Sequence, residues 1–264
     1  MSSSIPQEML DLIVDCLRNE PTALRTCCIV SKSWVSRAQM HLFARVEFHP
    51  EESPIESWMK TFPDPSDSPA HYTRSLSIGI PSLITATNAD ACAWLGSFRN
   101  VVKLFVCKAI WDDDSPISLI QLHRFSPILE SLSLQYLSVL PSEVLNLTFS
   151  FPSLQNLYIV SSAESELERK RTIPSTSPKF TGTLALLTKG GIQPYVRPLL
   201  DLPGGLHFSS LMIFCRDRDA ESAADLVSRC SDTMESLLLH YDSLGVFSSA
   251  YVVGRYITYR YPRV

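Results

Sequence analysis

Seven short apolar segments recur at a nearly constant interval along this 264-residue chain. Each carries a leucine followed two residues later by a second apolar residue, and successive leucines lie 25 to 28 residues apart. Such alternation is typical of a β-strand with one buried face, and a fixed period of about 20–50 residues is typical of stacked repeats. The sequence therefore predicts a solenoid with one strand per unit, built around Leu76, Leu104, Leu132, Leu157, Leu184, Leu211 and Leu237.

Helical segments are predicted between these strands, two of them after capping residues, Ser115 and Asp219. They cover residues 89–95, 116–124, 142–147 and 220–230. We expect an α/β fold in which about seven units over residues 73–245 form an α/β solenoid with a parallel sheet. The alternative is an irregular α/β domain in which the leucines recur by chance.

The repeat pattern resembles degenerate leucine-rich repeats. The asparagine that such repeats carry five residues after the first strand leucine is missing, and Leu137, Ser162 and Asp242 stand at those positions. The unit around Leu184 fits least well, because the stretch TKGGIQPYVRPLLDLPGG that follows its strand is rich in proline and glycine.

Residues 1–50 are predicted to form a separate helical module. Pro6 is suited to a helix start, Pro21 follows a break in the apolar pattern, and Ser31 is suited to cap a third helix. Three short helices bury little apolar area. We therefore expect the apolar surface of the module to continue onto a partner, or else onto the rest of the chain as an internal cap.

The adjacent pair Cys27-Cys28 suggests a metal or redox site, but the cysteine pattern favours packing. The chain has seven cysteines, and no two are separated by the two-residue gap of zinc or redox sites. Neighbouring cysteines rarely form a disulfide, and a free cysteine packs as a small apolar residue. A reactive thiol is the alternative.

The N-terminal residues resemble an F-box. The opening Ile5–Leu10 is similar to the Leu-Pro-x-Glu start of that motif, Ile13 stands at its aliphatic position, Val30–Trp34 is similar to its Val-Ser-Lys-x-Trp segment, and Leu42-Phe43 follows. Ile5 replaces the usual leucine. The resemblance covers about residues 4–48 and implies a three-helix unit that binds the Skp adaptor, and through it a cullin, while the remaining chain captures a protein substrate.

Two sets of binding residues follow from these interpretations. The resemblance implies adaptor contacts through Ile5, Pro6, Met9, Leu10, Ile13, Leu17, Val30, Ser31 and Trp34. On the repeat strands, the residues between the core leucines point to the opposite, concave face. That face predicts a substrate surface that includes Phe105, Tyr158, Met212, Phe214, Leu238 and His240.

Two further segments differ from the repeats. Residues 51–72 are rich in proline, serine and acidic residues and predict a linker, with one short helix marked by Ile55, Trp58, Met59 and Phe62. The tyrosine-rich tail 246–264 has two interpretations, a terminal edge strand or the end of an incomplete version of a longer protein. We favour the incomplete version, because an uncovered last repeat is prone to aggregation. The tail folding over the substrate surface is a third alternative.

Composition and motifs narrow the functional classes. A net charge of −4 and a pI near 5.9 disfavour nucleic acid or an anionic membrane as partner, and the acidic N-terminus disfavours a signal peptide. No metal-binding histidine spacing, phosphate loop or nucleophile elbow occurs, and Asp112–Asp114 fits a solvated loop. We expect a soluble intracellular protein, cytoplasmic and/or nuclear, without enzymatic activity, metal or cofactor: an F-box substrate receptor of a ubiquitin ligase or, alternatively, a stand-alone leucine-rich-repeat scaffold.

Overall fold

The chain is described here by a computed structural model. The described residues are 5–48, 55–79, 94–107, 122, 125, 127–137, 140–161, 178, 180–243, 246–253 and 256–260. The predicted helix 116–124 and Asp112–Asp114 therefore fall outside them, apart from residue 122, as does most of the predicted helix 89–95.

Three helices open the described chain: α1 (Gln7–Cys16), α2 (Pro21–Val30) and α3 (Lys32–Leu42). Pro21 stands in the first turn of α2, where its missing N–H costs no hydrogen bond. The Ser31 hydroxyl caps α3 by accepting a hydrogen bond from the Ser33 amide at 3.3 Å. The predicted cap at Ser31 is thereby confirmed, and so is the predicted helix start at Pro6, which directly precedes α1.

The core of this helical unit is small. It contains four buried side chains, and three of them come from α1 and α2. Cys27 is one of them, as the packing interpretation predicted, and burial raises the pKa of the neighbouring Cys28 thiol, with the charge of Cys27 adding to the shift. The four are Val14, Leu24, Cys27 and Ala38, and the half-buried Leu17, Cys28, Trp34 and Leu42 pack against them.

The rest of the described chain is built on one open sheet whose strand order follows the sequence. Its parallel strands are β1 (Arg45–Phe48), β2 (Ser75–Gly79), β3 (Lys103–Cys107), β4 (Ser131–Leu137), β5 (Asn156–Ser161), β6 (Thr183–Thr188), β7 (Ser210–Cys215) and β8 (Ser236–Ser243). The predicted α/β class with a parallel sheet is confirmed. Strand β1 was not predicted, because its four residues lie within the range assigned to the helical module.

The strand register places the seven recurring leucines in a single row across the sheet. Each is at most 6% exposed, and burying one such side chain contributes ~1.5–3 kcal/mol. The apolar residues two positions further along form a second inward row. The repeat spacing therefore sets both the strands and their alignment.

Within the described ranges, four further helices accompany the strands: α4 (Ile55–Thr61), α5 (Pro141–Phe149), α6 (Gln193–Leu200) and α7 (Ala220–Cys230). The predicted helices at 55–62, 142–147 and 220–230 are confirmed within one or two residues. Helix α6 was not predicted, because two prolines lie within it. It buries Tyr195, Val196 and Leu199 in the main core despite Pro198.

The tail continues the sheet with β9 (Val246–Val253) and β10 (Tyr256–Arg260). Strand β9 pairs antiparallel with β8, and β10 pairs antiparallel with β9. The described part of the tail thus lies beside β8 in the plane of the sheet, as the edge-strand alternative predicted, and not across the face of β8.

The helical unit is joined to the sheet by close contacts. The Ala44 carbonyl accepts hydrogen bonds from the Arg74 and Ser75 amides at 2.9 and 3.0 Å. The Phe43 ring meets the Trp58 ring edge-on, with centroids 5.8 Å apart, and the Trp58 ring also contacts Phe98. These contacts fix the position of α3 relative to β1 and β2.

Candidate functional site

Six large apolar side chains of the helical unit are exposed to solvent. Their exposed fractions run from 47% for Ile13 to 86% for Ile29. We call them the helical apolar surface: Ile5, Met9, Leu12, Ile13, Ile29 and Val30. Two lie at the end of α2, and the others precede or belong to α1.

The two parts of this surface lie at the same end of the helical unit. The Gln7 side chain donates a hydrogen bond to the Ser33 carbonyl at 3.1 Å, which brings the start of α1 to the first turn of α3. Because only the capping Ser31 separates Val30 from that turn, the start of α1 lies near the end of α2. The surface therefore combines exposed residues along α1, and Ile5 before it, with the carboxyl end of α2.

The residues that the F-box resemblance assigned to adaptor binding divide into two groups. Five are exposed and available to a partner: Ile5, Pro6, Met9, Ile13 and Val30. The other four, Leu10, Leu17, Ser31 and Trp34, are half-buried. Leu17 and Trp34 pack on the core of the helical unit, and Ser31 caps α3, so these three also serve the fold of the unit itself.

Leu12 and Ile29 are exposed apolar residues that sequence reasoning missed. Leu12 falls outside the apolar stripe that predicted α1, and Ile29 lies between Cys28 and Val30 in an apolar run. Each residue could have been found from its position, because it is apolar but lies outside the buried stripe of its helix. Such a position is typical of a contact surface.

In the same helical unit, Asp15 of α1 makes three contacts to α3. Its carboxylate accepts hydrogen bonds from Arg37 Nε at 2.6 Å and Arg37 Nη2 at 2.5 Å, and its Oδ1 lies 2.7 Å from His41 Nε2. We call these three residues the Asp15 cluster. The Arg37 hydrogen bonds, and secondly that of His41, hold the pKa of Asp15 well below its ordinary value, and Asp15 in turn raises the pKa of Arg37.

The second candidate surface is the outward face of the sheet, which we call the open face. Its side chains alternate with the buried leucine rows and are mostly half-buried. All six predicted substrate residues lie on it. In the strand register, Tyr158, Ala185, Met212 and Leu238 are successive neighbours.

A parallel row lies one step towards the carboxyl ends of the same strands. It consists of Val160, Leu187, Phe214 and His240. The Phe214 and His240 rings stack with centroids 5.3 Å apart. The strands β5–β8 therefore present an apolar patch that is two rows of side chains wide. Val160 and Leu187 belong to this patch, and sequence reasoning did not select them.

The row at the amino ends of the strands is polar throughout. From β2 to β8 it carries Ser75, Lys103, Ser131, Asn156, Thr183, Ser210 and Ser236. Two contacts tie its members together: the Ser236 hydroxyl donates to the Ser210 hydroxyl at 2.8 Å, and the Thr183 amide donates to Asn156 Oδ1 at 2.9 Å. The apolar patch thus has a hydrogen-bonding border on one side.

A shallow groove of about 600 Å³ lies before β2 and β3. It is lined by Asp64, Pro65, Ser66, Ser68, His71, Gly96, Ser97 and Arg99. Several polar groups there are engaged with their own loops: the Ser66 amide and hydroxyl both donate to Asp64, and the Ser97 hydroxyl donates to the Trp94 carbonyl. Within the described ranges, no group of three or more His, Cys, Asp or Glu side chains is placed to hold a metal ion.

Comparisons with protein-family models, with curated proteins and with solved structures found no match to this chain. In the part of the chain that the structure describes, no helix combines the length and the apolar character needed to cross a membrane.

Proposed function

We propose that this chain is a non-catalytic substrate receptor of the F-box type. The helical unit binds the Skp adaptor of a Skp–cullin–F-box ubiquitin ligase, and the sheet, as a degenerate leucine-rich-repeat solenoid, binds the target protein. The observation that carries the proposal is the helical apolar surface, which contains Ile5, Met9, Ile13 and Val30, four of the residues for which the resemblance implies adaptor contact.

The exposure of this surface is hard to explain by folding alone. The helical unit buries only four side chains in its core yet leaves six large apolar ones exposed. Clustered exposed apolar residues mark interaction sites, and burying each one against a partner contributes up to ~1.5–3 kcal/mol. Adaptor binding gives these residues a role that the fold of this chain does not.

The open face supports the second half of the proposal. Met212, Phe214 and Leu238 lie on neighbouring strands, and Tyr158 extends the patch to β5. Interface centres are enriched in aromatic residues and methionine, and a few such residues carry most of the affinity. A target held there, beside an adaptor bound to the helical unit, gains the effective concentration and orientation needed for modification by an enzyme elsewhere in the complex.

The adaptor half is tested by co-expression of the full chain with the Skp adaptor, followed by gel filtration. We expect a stable complex with the unaltered chain and none with the double variant Ile13→Asp, Ile29→Asp. Both residues are exposed, so the helical core stays intact. The matched control is Ile128→Asp, an exposed isoleucine (40%) outside the helical unit, which should leave the complex unchanged. Adaptor binding by the double variant at the affinity of the unaltered chain would contradict the proposal.

A stand-alone leucine-rich-repeat scaffold is the second candidate. It is favoured by the contacts of the helical unit with β2 and with the turn that precedes it, which include a hydrogen bond between the Ser36 and Tyr72 hydroxyls at 3.0 Å. In that case the helices act as a cap over the first strands. The same gel filtration distinguishes the two candidates, because a scaffold elutes alone in the presence of the adaptor.

The substrate half is tested with the double variant Phe214→Ala, Leu238→Ala. Both side chains are half-buried on the open face, so we expect target capture to weaken by up to several kcal/mol and the melting temperature to change little. A large fall in melting temperature would show that these residues stabilise the fold, and the target surface would then have to lie elsewhere.

A further inference from the structure

We infer that Asp15 is a positioning residue for the helical apolar surface: through Arg37 and His41 it sets the rotation and axial position of α1 on α3. This inference rests on the proposed function, because it assigns the Asp15 cluster a role in adaptor binding.

The first argument is the weakness of the apolar contact beneath α1. Val14 is the one fully buried side chain of this helix, while Leu10 and Leu17 are half-buried. A single buried side chain does not define the rotation of a helix well. On a helix of about 3.6 residues per turn, a shift of one residue turns the outward face by about 100°. Met9 and Ile13 would then both point away from the partner that they face in the observed arrangement.

The second argument is the geometry of the cluster. Arg37 approaches the Asp15 carboxylate with two nitrogens, a bidentate contact that is directional as well as strong. His41 lies one turn further along α3 and contacts the same carboxylate, so Asp15 is held from two levels of that helix.

The third argument is a second fixed point on α1. Gln7 donates to the Ser33 carbonyl at the start of α3, eight residues before Asp15 in the sequence. Two polar contacts at opposite ends of α1 together determine its axial position along α3 and its rotation. The start of α1 therefore stays beside Val30, which keeps the two parts of the helical apolar surface in one arrangement.

The test measures the dissociation constant of the full chain for the Skp adaptor by titration calorimetry. We expect Asp15→Asn to weaken binding about tenfold, within the range of coupling between contacting residues, and Arg37→Gln to do the same. The double variant Asp15→Asn, Arg37→Gln should be no weaker than either single one, because both remove the same contact. Glu20→Gln, the same carboxylate-to-amide change in this unit, should leave the dissociation constant unchanged.

A second measurement separates this inference from the proposed function. Hydrogen exchange of the α1 amides, followed by mass spectrometry without adaptor, should be faster in Asp15→Asn than in Glu20→Gln. Adaptor binding that is equally tight in Asp15→Asn and the unaltered chain overturns the positioning role alone. If the unaltered chain does not bind the adaptor, the proposed function and the adaptor role of Asp15 both fail, and faster exchange would then show a contact that serves the fold only.

Discussion

The helical unit and the sheet differ in the solvent exposure of their apolar side chains. Across the sheet, seven aligned leucines are nearly inaccessible to water, whereas the helical unit exposes six large apolar side chains around a core of four. Burial of apolar area is the main favourable contribution to folding. The sheet therefore carries most of the stability of the chain, and the helical unit leaves apolar area exposed to solvent.

The largest expected effect comes from the sheet. Leu211 on β7 is the sixth of the seven leucines in the row and is 1% exposed, so Leu211→Ala should lower the free energy of unfolding by ~2–5 kcal/mol, measured by urea denaturation. Met212→Ala is the matched control, because the next residue of the same strand points to the open face and is half-buried. Equal losses for both variants would contradict the distinction between the inward and outward faces.

A smaller loss in the free energy of unfolding is expected at a buried carboxylate that links two neighbouring repeat units by hydrogen bonds. Asp219 is 2% exposed and accepts hydrogen bonds from the Ile192 amide at 3.1 Å and the Arg216 amide at 3.2 Å. Asp219→Ala leaves the buried Ile192 donor without this acceptor, which costs ~1–3 kcal/mol. Asp225→Ala, an exposed aspartate of α7, serves as the control in the same denaturation experiment.

The repeat leucines gave the most reliable prediction because one residue type at a fixed interval determines strand, face and register together. Helix α6 was missed because prolines usually disrupt helices, yet one stands in its first turn and Pro198 is buried among core residues. Strand β1 was missed because four residues with two inward side chains, Val46 and Phe48, carry little periodic signal.

The candidate site was predicted in part for a related reason. The F-box resemblance selected five residues that the structure exposes and four that it half-buries, and the strand alternation selected six half-buried residues of the open face. Both patterns are local, and local patterns determine which way a side chain points. The Asp15 cluster has no local pattern, because Arg37 and His41 lie 22 and 26 residues from Asp15 in the sequence. Only the packing of α1 on α3 brings them together.

In the helical unit, a capping contact should have a moderate effect. Ser31→Ala removes the acceptor for the Ser33 amide at the start of α3 and should lower the stability of the unit by ~0.5–2 kcal/mol. Ser228→Ala, the same change at an exposed position of α7, is the control. Hydrogen exchange of the α3 amides reports this local change, and exchange rates that do not differ between the two variants would show that the cap contributes nothing measurable.

The smallest expected effect is a pH dependence confined to the helical unit. The pKa of Asp15 lies below its ordinary value of 3.8 when the chain is folded, so the stability from this carboxylate is present above that value and is lost as the pH falls below it. The side chain is partly exposed, and water screens the ion pair, which keeps the effect modest. We expect α1 amide exchange in the unaltered chain to approach that of Asp15→Asn as the pH is lowered from 6 to 3, after correction for the intrinsic pH dependence of exchange.

Asp64→Asn is the control for this experiment. It removes a second carboxylate of lowered pKa, held by Ser66 outside the helical unit, and should leave α1 exchange unchanged. A constant difference between the unaltered chain and Asp15→Asn over this pH range would show that the charge of Asp15 does not stabilise α1.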